Sequence, residues 1–174
     1  MNDIEKEDFM SSTLVVYYSM TGTTKKLAES LASGLDADLF AINVAPNTFP
    51  SDMFATADLA KKQKAEKSLP KLTSPIPDLT GYDVIIVAGP NWSAQVSTPV
   101  LSFLEQIQGF AGRVISLNTS VGQNDNQYND DFKKQAKRLN VVATFNNDPD
   151  AVVRFFNLNR KKNYNESGNF CRTR

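Results

Sequence analysis

Three short stretches of this chain hold residues whose types and spacing could do chemistry. Ser19-Met20-Thr21-Gly22-Thr23-Thr24 sets four hydroxyls and a glycine between an apolar run and the start of a helical pattern. At such a junction free backbone amides and the positive end of the helix dipole attract an anion, and small side chains let the backbone approach a phosphate closely. The same composition would also serve as a plain Ser/Thr-rich helix cap. The stretch is neither the G-x-x-x-x-G-K-[ST] phosphate loop nor the G-x-G-x-x-G dinucleotide turn. Pro90-Asn91-Trp92-Ser93-Ala94 carries the only tryptophan, either a flat stacking surface for a planar ligand or a core plug. Asn118 to Tyr128 includes Thr119, Ser120, Val121, Gly122 and several amide side chains. It could hydrogen-bond the edge of a heterocycle or be a long polar connection, and Tyr128 is the next stacking candidate should Trp92 be a core plug.

What is missing narrows the chemistry further. The 174 residues contain no histidine, which removes the usual zinc sites and every His-based dyad or triad, so much hydrolytic chemistry is excluded and no metal is expected. The single Cys171 cannot form an internal disulfide. No apolar run approaches the ~18 residues of a membrane span, and the first ten residues are acidic, unlike an export signal. A cytoplasmic location is the expectation. The zero net charge hides an asymmetry: residues 151–174 hold six Lys/Arg against Glu166, and residues 1–150 hold thirteen against eighteen Asp/Glu. The basic end is expected to be solvated, with neither nucleic acid nor membrane as a partner.

The elements that must position these stretches alternate. Thr13 to Tyr18 (TLVVYY) predicts a fully buried strand, and Thr23 to Gly34 a helix with Gly34 as its C-cap. Strands follow at Asp38–Val44, Asp83–Ala88, Arg113–Leu117 and Val141–Phe145. Helices are expected at 52–67, 99–108, 130–139 and from Pro149 to about Arg160. Pro70, Pro75 and Pro77 make 68–80 an irregular connection. Apolar strands alternating with helices imply a parallel sheet covered on both faces, an α/β fold. Five strands and right-handed crossovers point to the doubly wound order 2-1-3-4-5. Ligands of such sheets bind beyond the carboxyl ends of the strands at the switch point, here between strands 1 and 3. The three chemical stretches all leave strands at that end. One domain is expected over residues 13–160, with a leader at 1–12 and a basic tail at 161–174.

Tyr18-Ser19-Met20-Thr21-Gly22-Thr23-Thr24-Lys25-Lys26-Leu27-Ala28 resembles the phosphate-binding loop of the flavodoxin family. Tyr82-Asp83-Val84-Ile85, then Gly89-Pro90-Asn91-Trp92 and Pro99, is similar to the YDxIxxGxPIWW…P segment of short bacterial members. Thr119-Ser120-Val121-Gly122 resembles their TSGG stretch. Asn91, Ser93 and Val121 depart from that pattern on the ring-binding side. The resemblance, covering about residues 13–145, implies a short-chain flavodoxin-like fold and FMN as cofactor. It implies that Ser19, Thr21, Thr23 and Thr24, with backbone amides around Met20 and Gly22, hold the phosphate. Trp92 would stack on or flank the ring, and backbone near Pro90, Asn91, Ser93, Ala94, Thr119, Ser120, Val121 and Gly122 would face its polar edges. Three functions are compatible: an electron carrier served by redox partner proteins such as a flavoprotein reductase, an FMN-dependent NAD(P)H:quinone-type reductase, and a flavodoxin-fold binding module without FMN. The oligomeric state is left open.

Overall fold

The computed structural model describes residues 12–122 and 124–168, so all but Ser12 of the expected leader and the last six residues of the tail lie outside it. In chain order the elements are β1 (Thr13–Tyr17), α1 (Thr23–Leu35), β2 (Asp38–Ala41), α2 (Met53–Ala65), β3 (Val84–Trp92), β4 (Gln95–Val96), α3 (Thr98–Gln106), β5 (Arg113–Thr119), α4 (Asp125–Gln135), β6 (Asn140–Asn146) and α5 (Pro149–Gly168). β1, β3 and β5 are rich in Val, Ile and Leu and buried along most of their length, as strands covered on both faces must be.

The sheet runs β2-β1-β3-β5-β6 with every pairing parallel, which is the doubly wound order expected; β4 adds a short antiparallel pairing to the end of β3. The chain steps outward from β1 to β2 and then crosses back to β3, so the switch point lies between β1 and β3. Register aligns the strand ends there: Tyr17 pairs with Ala88, and Pro90 with Thr119. The three loops that follow therefore leave the sheet side by side.

Two apolar layers cover the sheet. On one face α3, α4 and Leu69, Leu72, Ile76 and Leu79 of the proline-containing segment close over Leu14, Val16, Ile85 and Val87. On the other, α1 and α5 close over Val15, Ile86, Ile115 and Leu117. Burying each such side chain is worth about 1.5–3 kcal/mol, so the strands that carry the loops are anchored in the core on both faces.

The structure corrects several expectations. Gly34 lies inside α1, which ends at Asp36 in the left-handed conformation (φ 51°). A Cβ at Gly34 would sit 3.4 Å from Val153 Cγ2, so this glycine serves the close approach of α1 to α5. β3 runs on through Gly89-Pro90-Asn91-Trp92, expected as a loop, because a tight turn folds β4 back against it. α4 starts at Asp125 rather than 130, and α5, expected to reach about Arg160, runs on to Gly168 into the segment expected as a tail.

Candidate functional site

A cleft of about 270 Å³ opens at the carboxyl ends of β1, β3 and β5, lined by all three stretches singled out in the sequence. Its floor is Thr24 and Thr119, whose hydroxyls hydrogen bond to each other at 2.7 Å across 95 positions of sequence. Both are buried. Thr21 and Thr23 stand at the exposed end of the same wall, their hydroxyls 3.4 Å apart. Gly22, at φ 92°, turns the chain into α1, and its N–H donates to Ser19 Oγ at 3.0 Å. The first bond inside the helix is Lys26 N–H to the Gly22 carbonyl, which leaves the amides of Thr23, Thr24 and Lys25 without intrahelical partners. No side chain caps them and the first turn holds no carboxylate. This end of the cleft is a cluster of donors at the positive pole of a helix dipole.

The opposite wall is apolar. Pro90, Asn91 and Trp92 come from β3, Met20 from the first loop and Val121 from the third. Ser93 and Ala94 form the two-residue turn to β4, both left-handed (φ 54° and 65°), the conformation that lets a hairpin follow the twist of its strands. Asn91 Oδ1 accepts the Ala94 N–H at 2.7 Å and holds this turn shut. Trp92 is partly buried, edge-on to Tyr18 at 5.9 Å and to Phe49 at 5.0 Å, while it lines the cleft. Burial beneath this group pushes the Tyr18 hydroxyl up to about 12. Ser120 is anchored to Asn147: its N–H donates to Asn147 Oδ1 at 2.8 Å, and Asn147 Nδ2 donates to its carbonyl at 3.0 Å. Its hydroxyl donates to Asp125 Oδ1 at 2.7 Å, so the third loop is tied at both ends.

Of the expected residues, Met20, Thr21, Thr23, Thr24, Pro90, Asn91, Trp92, Thr119, Ser120 and Val121 line the cleft. Ser19, Gly22, Ser93 and Ala94 shape its walls through turn bonds, and Gly122 is exposed outside the lining. Tyr128 is a correction. It lies in α4, fully buried and stacked on Phe132 at 6.5 Å, with its hydroxyl under Gly89, so it cannot stack on anything in the cleft. Burial raises its hydroxyl well above the ordinary tyrosine range, with the Asp131 carboxylate adding to the shift. Three lining residues escaped the sequence reading: Ser51, Met53 and Thr56, at the start of α2. Asp52 caps this helix by accepting the Ala55 N–H at 2.7 Å, a local signal that marks where the helix starts but not that it lies over the cleft. Among the described residues no charged side chain lines the cleft.

Among known proteins, a flavoprotein from Lactobacillus acidophilus NCFM solved in complex with FMN has the same fold with a TM-score of 0.77 and 34% identity, over 81% of this chain and 96% of its own. A flavoprotein structure from Bacteroides eggerthii matches at TM-score 0.72 over 85% of this chain and 97% of its own, with 24% identity, a likeness of fold. A Cupriavidus metallidurans protein named NAD(P)H dehydrogenase (quinone) is 33% identical over 115 residues, 65% of this chain and 54% of that protein. The chain thus spans about half the length of the curated relatives it matches. The family model described as Flavodoxin matches residues 12–147, a span holding the switch-point cleft and all three loops. With that match the parallel order, the hydroxyl-rich turn and the hairpin after the third strand have one explanation: this chain belongs to the flavodoxin family.

Proposed function

We propose that the cleft binds FMN and that the chain works as an electron-transfer flavoprotein, exchanging electrons with redox partner proteins in the cytoplasm. The observation that carries this is the polarity of the cleft. Uncapped amides and threonine hydroxyls stand at one end, Trp92, Met20, Met53 and Val121 form the other walls, and among the described residues no carboxylate lines the cleft to repel a phosphate. A ligand with an anionic end and a flat apolar ring fits that division. Thr21, Thr23 and Thr24, with the amides of residues 23–25, hold the phosphate, and the Thr24–Thr119 bond fixes the rotamer of the deepest hydroxyl. Trp92, braced by Tyr18 and Phe49, gives the ring a rigid aromatic wall. Asn91 Oδ1 and the Ser120 hydroxyl are already committed to turn and loop, so the Asn91 side-chain NH2 and backbone groups of these segments are left to meet the ring's edges. When bound, FMN supplies one- and two-electron chemistry, and the protein's share is stacking, burial and hydrogen bonding.

The relatives named NAD(P)H dehydrogenase (quinone) favour a second reading, in which the chain itself reduces a quinone-type acceptor with a nicotinamide. Purified protein titrated with FMN, followed by flavin fluorescence, tests the cofactor; unchanged fluorescence at micromolar protein would overturn the reading and leave a flavodoxin-fold binding module. NAD(P)H oxidation by the loaded protein with a quinone then separates the two functions. A carrier gives negligible turnover unless a flavoprotein reductase is added. Steady turnover in the ordinary enzymatic range of about 1–1000 per second makes the chain a reductase.

A further inference from the structure

The hairpin that brings Asn91 and Trp92 to the cleft is held from behind by charge. Asp131, in α4, accepts the Val96 N–H at 2.9 Å through Oδ2 and the Gln135 amide at 3.1 Å through Oδ1. Lys64, near the end of α2, lies 3.9 Å from the same Oδ2 and donates to Gln95 Oε1 at 2.8 Å. Gln95 and Val96 are β4, the return strand paired with Trp92 and Asn91. Both charged side chains are largely buried, with 21% of Lys64 and 17% of Asp131 exposed. Two helices are thus joined to the strand backing the aromatic wall, and one of them, α2, brings Met53 and Thr56 to the cleft from its other end.

We propose that Asp131 and Lys64 are positioning residues for the flavin ring: they clamp β4 between α2 and α4, and so set where the Asn91–Trp92 segment stands in the cleft. Neither residue lines the cleft, so they act only through the hairpin. The need for a clamp follows from the turn. Ser93 and Ala94 are held left-handed without glycine, a conformation that relaxes when the strands are not fixed. A charged acceptor for a backbone amide is among the stronger restraints available, and burial strengthens it further. The bonds of the pair run to β4 and within α4 rather than to the threonines, so its effect falls on the ring and spares the phosphate.

This inference rests on the FMN reading, and the experiment keeps the two apart. Asp131→Ala and Lys64→Met are compared with wild type and with Val152→Ala, a core truncation on the opposite face of the sheet that lowers stability without touching the hairpin. Folding is checked by circular dichroism. Three quantities are read: the affinities for FMN and riboflavin, the reduction potential of the bound flavin, and the emission of Trp92, the only tryptophan, in the protein without flavin. Asp131→Ala should weaken FMN and riboflavin by the same factor, about tenfold or more, shift the potential, and move Trp92 emission to the red. Lys64→Met keeps the Val96 bond and should move all three in the same direction by less. Should Asp131→Ala fail to fold, Lys64→Met alone decides. Val152→Ala should move none. Wild-type protein that binds no flavin refutes the FMN reading, and the Trp92 emission shift still tests the clamp. Flavin binding with variants equal to wild type, or with Val152→Ala moving the same readouts, overturns the clamp while the cofactor reading stands.

Discussion

Replacing Thr24 by valine keeps the shape of the side chain and removes one hydroxyl from a buried pair. Thr119 is 6% exposed and Thr24 2%, so the hydroxyl left behind has little water to turn to. Orphaning a buried hydroxyl costs about 1–3 kcal/mol, whereas removing both members of a pair is close to neutral. Thr24→Val should therefore lower stability by about 1–3 kcal/mol, and the double variant with Thr119→Val should return to within about 1 kcal/mol of wild type. At this chain length each kcal/mol moves the melting temperature by about 2–4 °C, well within reach of a thermal scan. Urea unfolding of flavin-free protein, followed by circular dichroism and Trp92 emission, gives all four corners of the cycle. The double variant should also hold FMN more weakly than wild type despite its restored stability, because the deepest hydroxyl is gone. Additive losses in the double variant, or a neutral Thr24→Val, would show that the two hydroxyls do not depend on each other and refute the reasoning.

Thr21→Ala with Thr23→Ala should weaken FMN by roughly a hundredfold or more and leave riboflavin nearly unchanged in fluorescence titrations, since hydrogen bonds to a charged group are worth about 1.5–3 kcal/mol each. Trp92→Ala should loosen both ligands and also cost stability, up to the roughly 3–5 kcal/mol of a fully buried tryptophan, because it braces Tyr18 and Phe49 as well as lining the cleft. Gly89→Ala puts a Cβ 2.9 Å from Val100 Cγ2 and 3.5 Å from the Tyr128 hydroxyl, and chemical denaturation should show a loss of about 1–3 kcal/mol from overpacking. Burial holds the Tyr18 hydroxyl protonated up to about 12 in the folded chain, while the unfolded chain releases that proton near 10. The native state then binds the extra proton, so stability is unaffected below about pH 10 and falls as pH rises toward 12, a slope that Tyr18→Phe should reduce in melts across that range.

The parallel sheet was legible because β1, β3 and β5 are continuous apolar runs, a pattern that depends only on burial on both faces. The phosphate side was legible for a similar reason: a hydroxyl-rich turn between such a strand and a helix works through local backbone, and Thr21, Thr23 and Thr24 all reached the cleft. Tyr128 was misread because Asp125-Asn126-Gln127 hides the start of α4 in polar residues. The spacing of Tyr128, Phe132 and Ala136, all fully buried, was the helical stripe that could have corrected it. Ser51, Met53 and Thr56 were invisible for a different reason. Only the tertiary path of the chain after β2 swings the start of α2 over the cleft, and no local pattern encodes that path. The β3–β4 hairpin was missed because Ser93-Ala94 lacks the glycine or asparagine that usually marks such a turn.

The uncapped start of α1 ties the lifetime of this protein to supply. A ligand that satisfies those three amides binds only the folded chain, and a ligand at a hundred times its dissociation constant adds about 2.7 kcal/mol to folding. Against a typical domain stability of about 5–15 kcal/mol, that is a large share. Chains made when flavin is scarce expose a helix end with no counterpart and should open more often to proteases, so the amount of this protein in a cell is expected to follow the flavin available to load it.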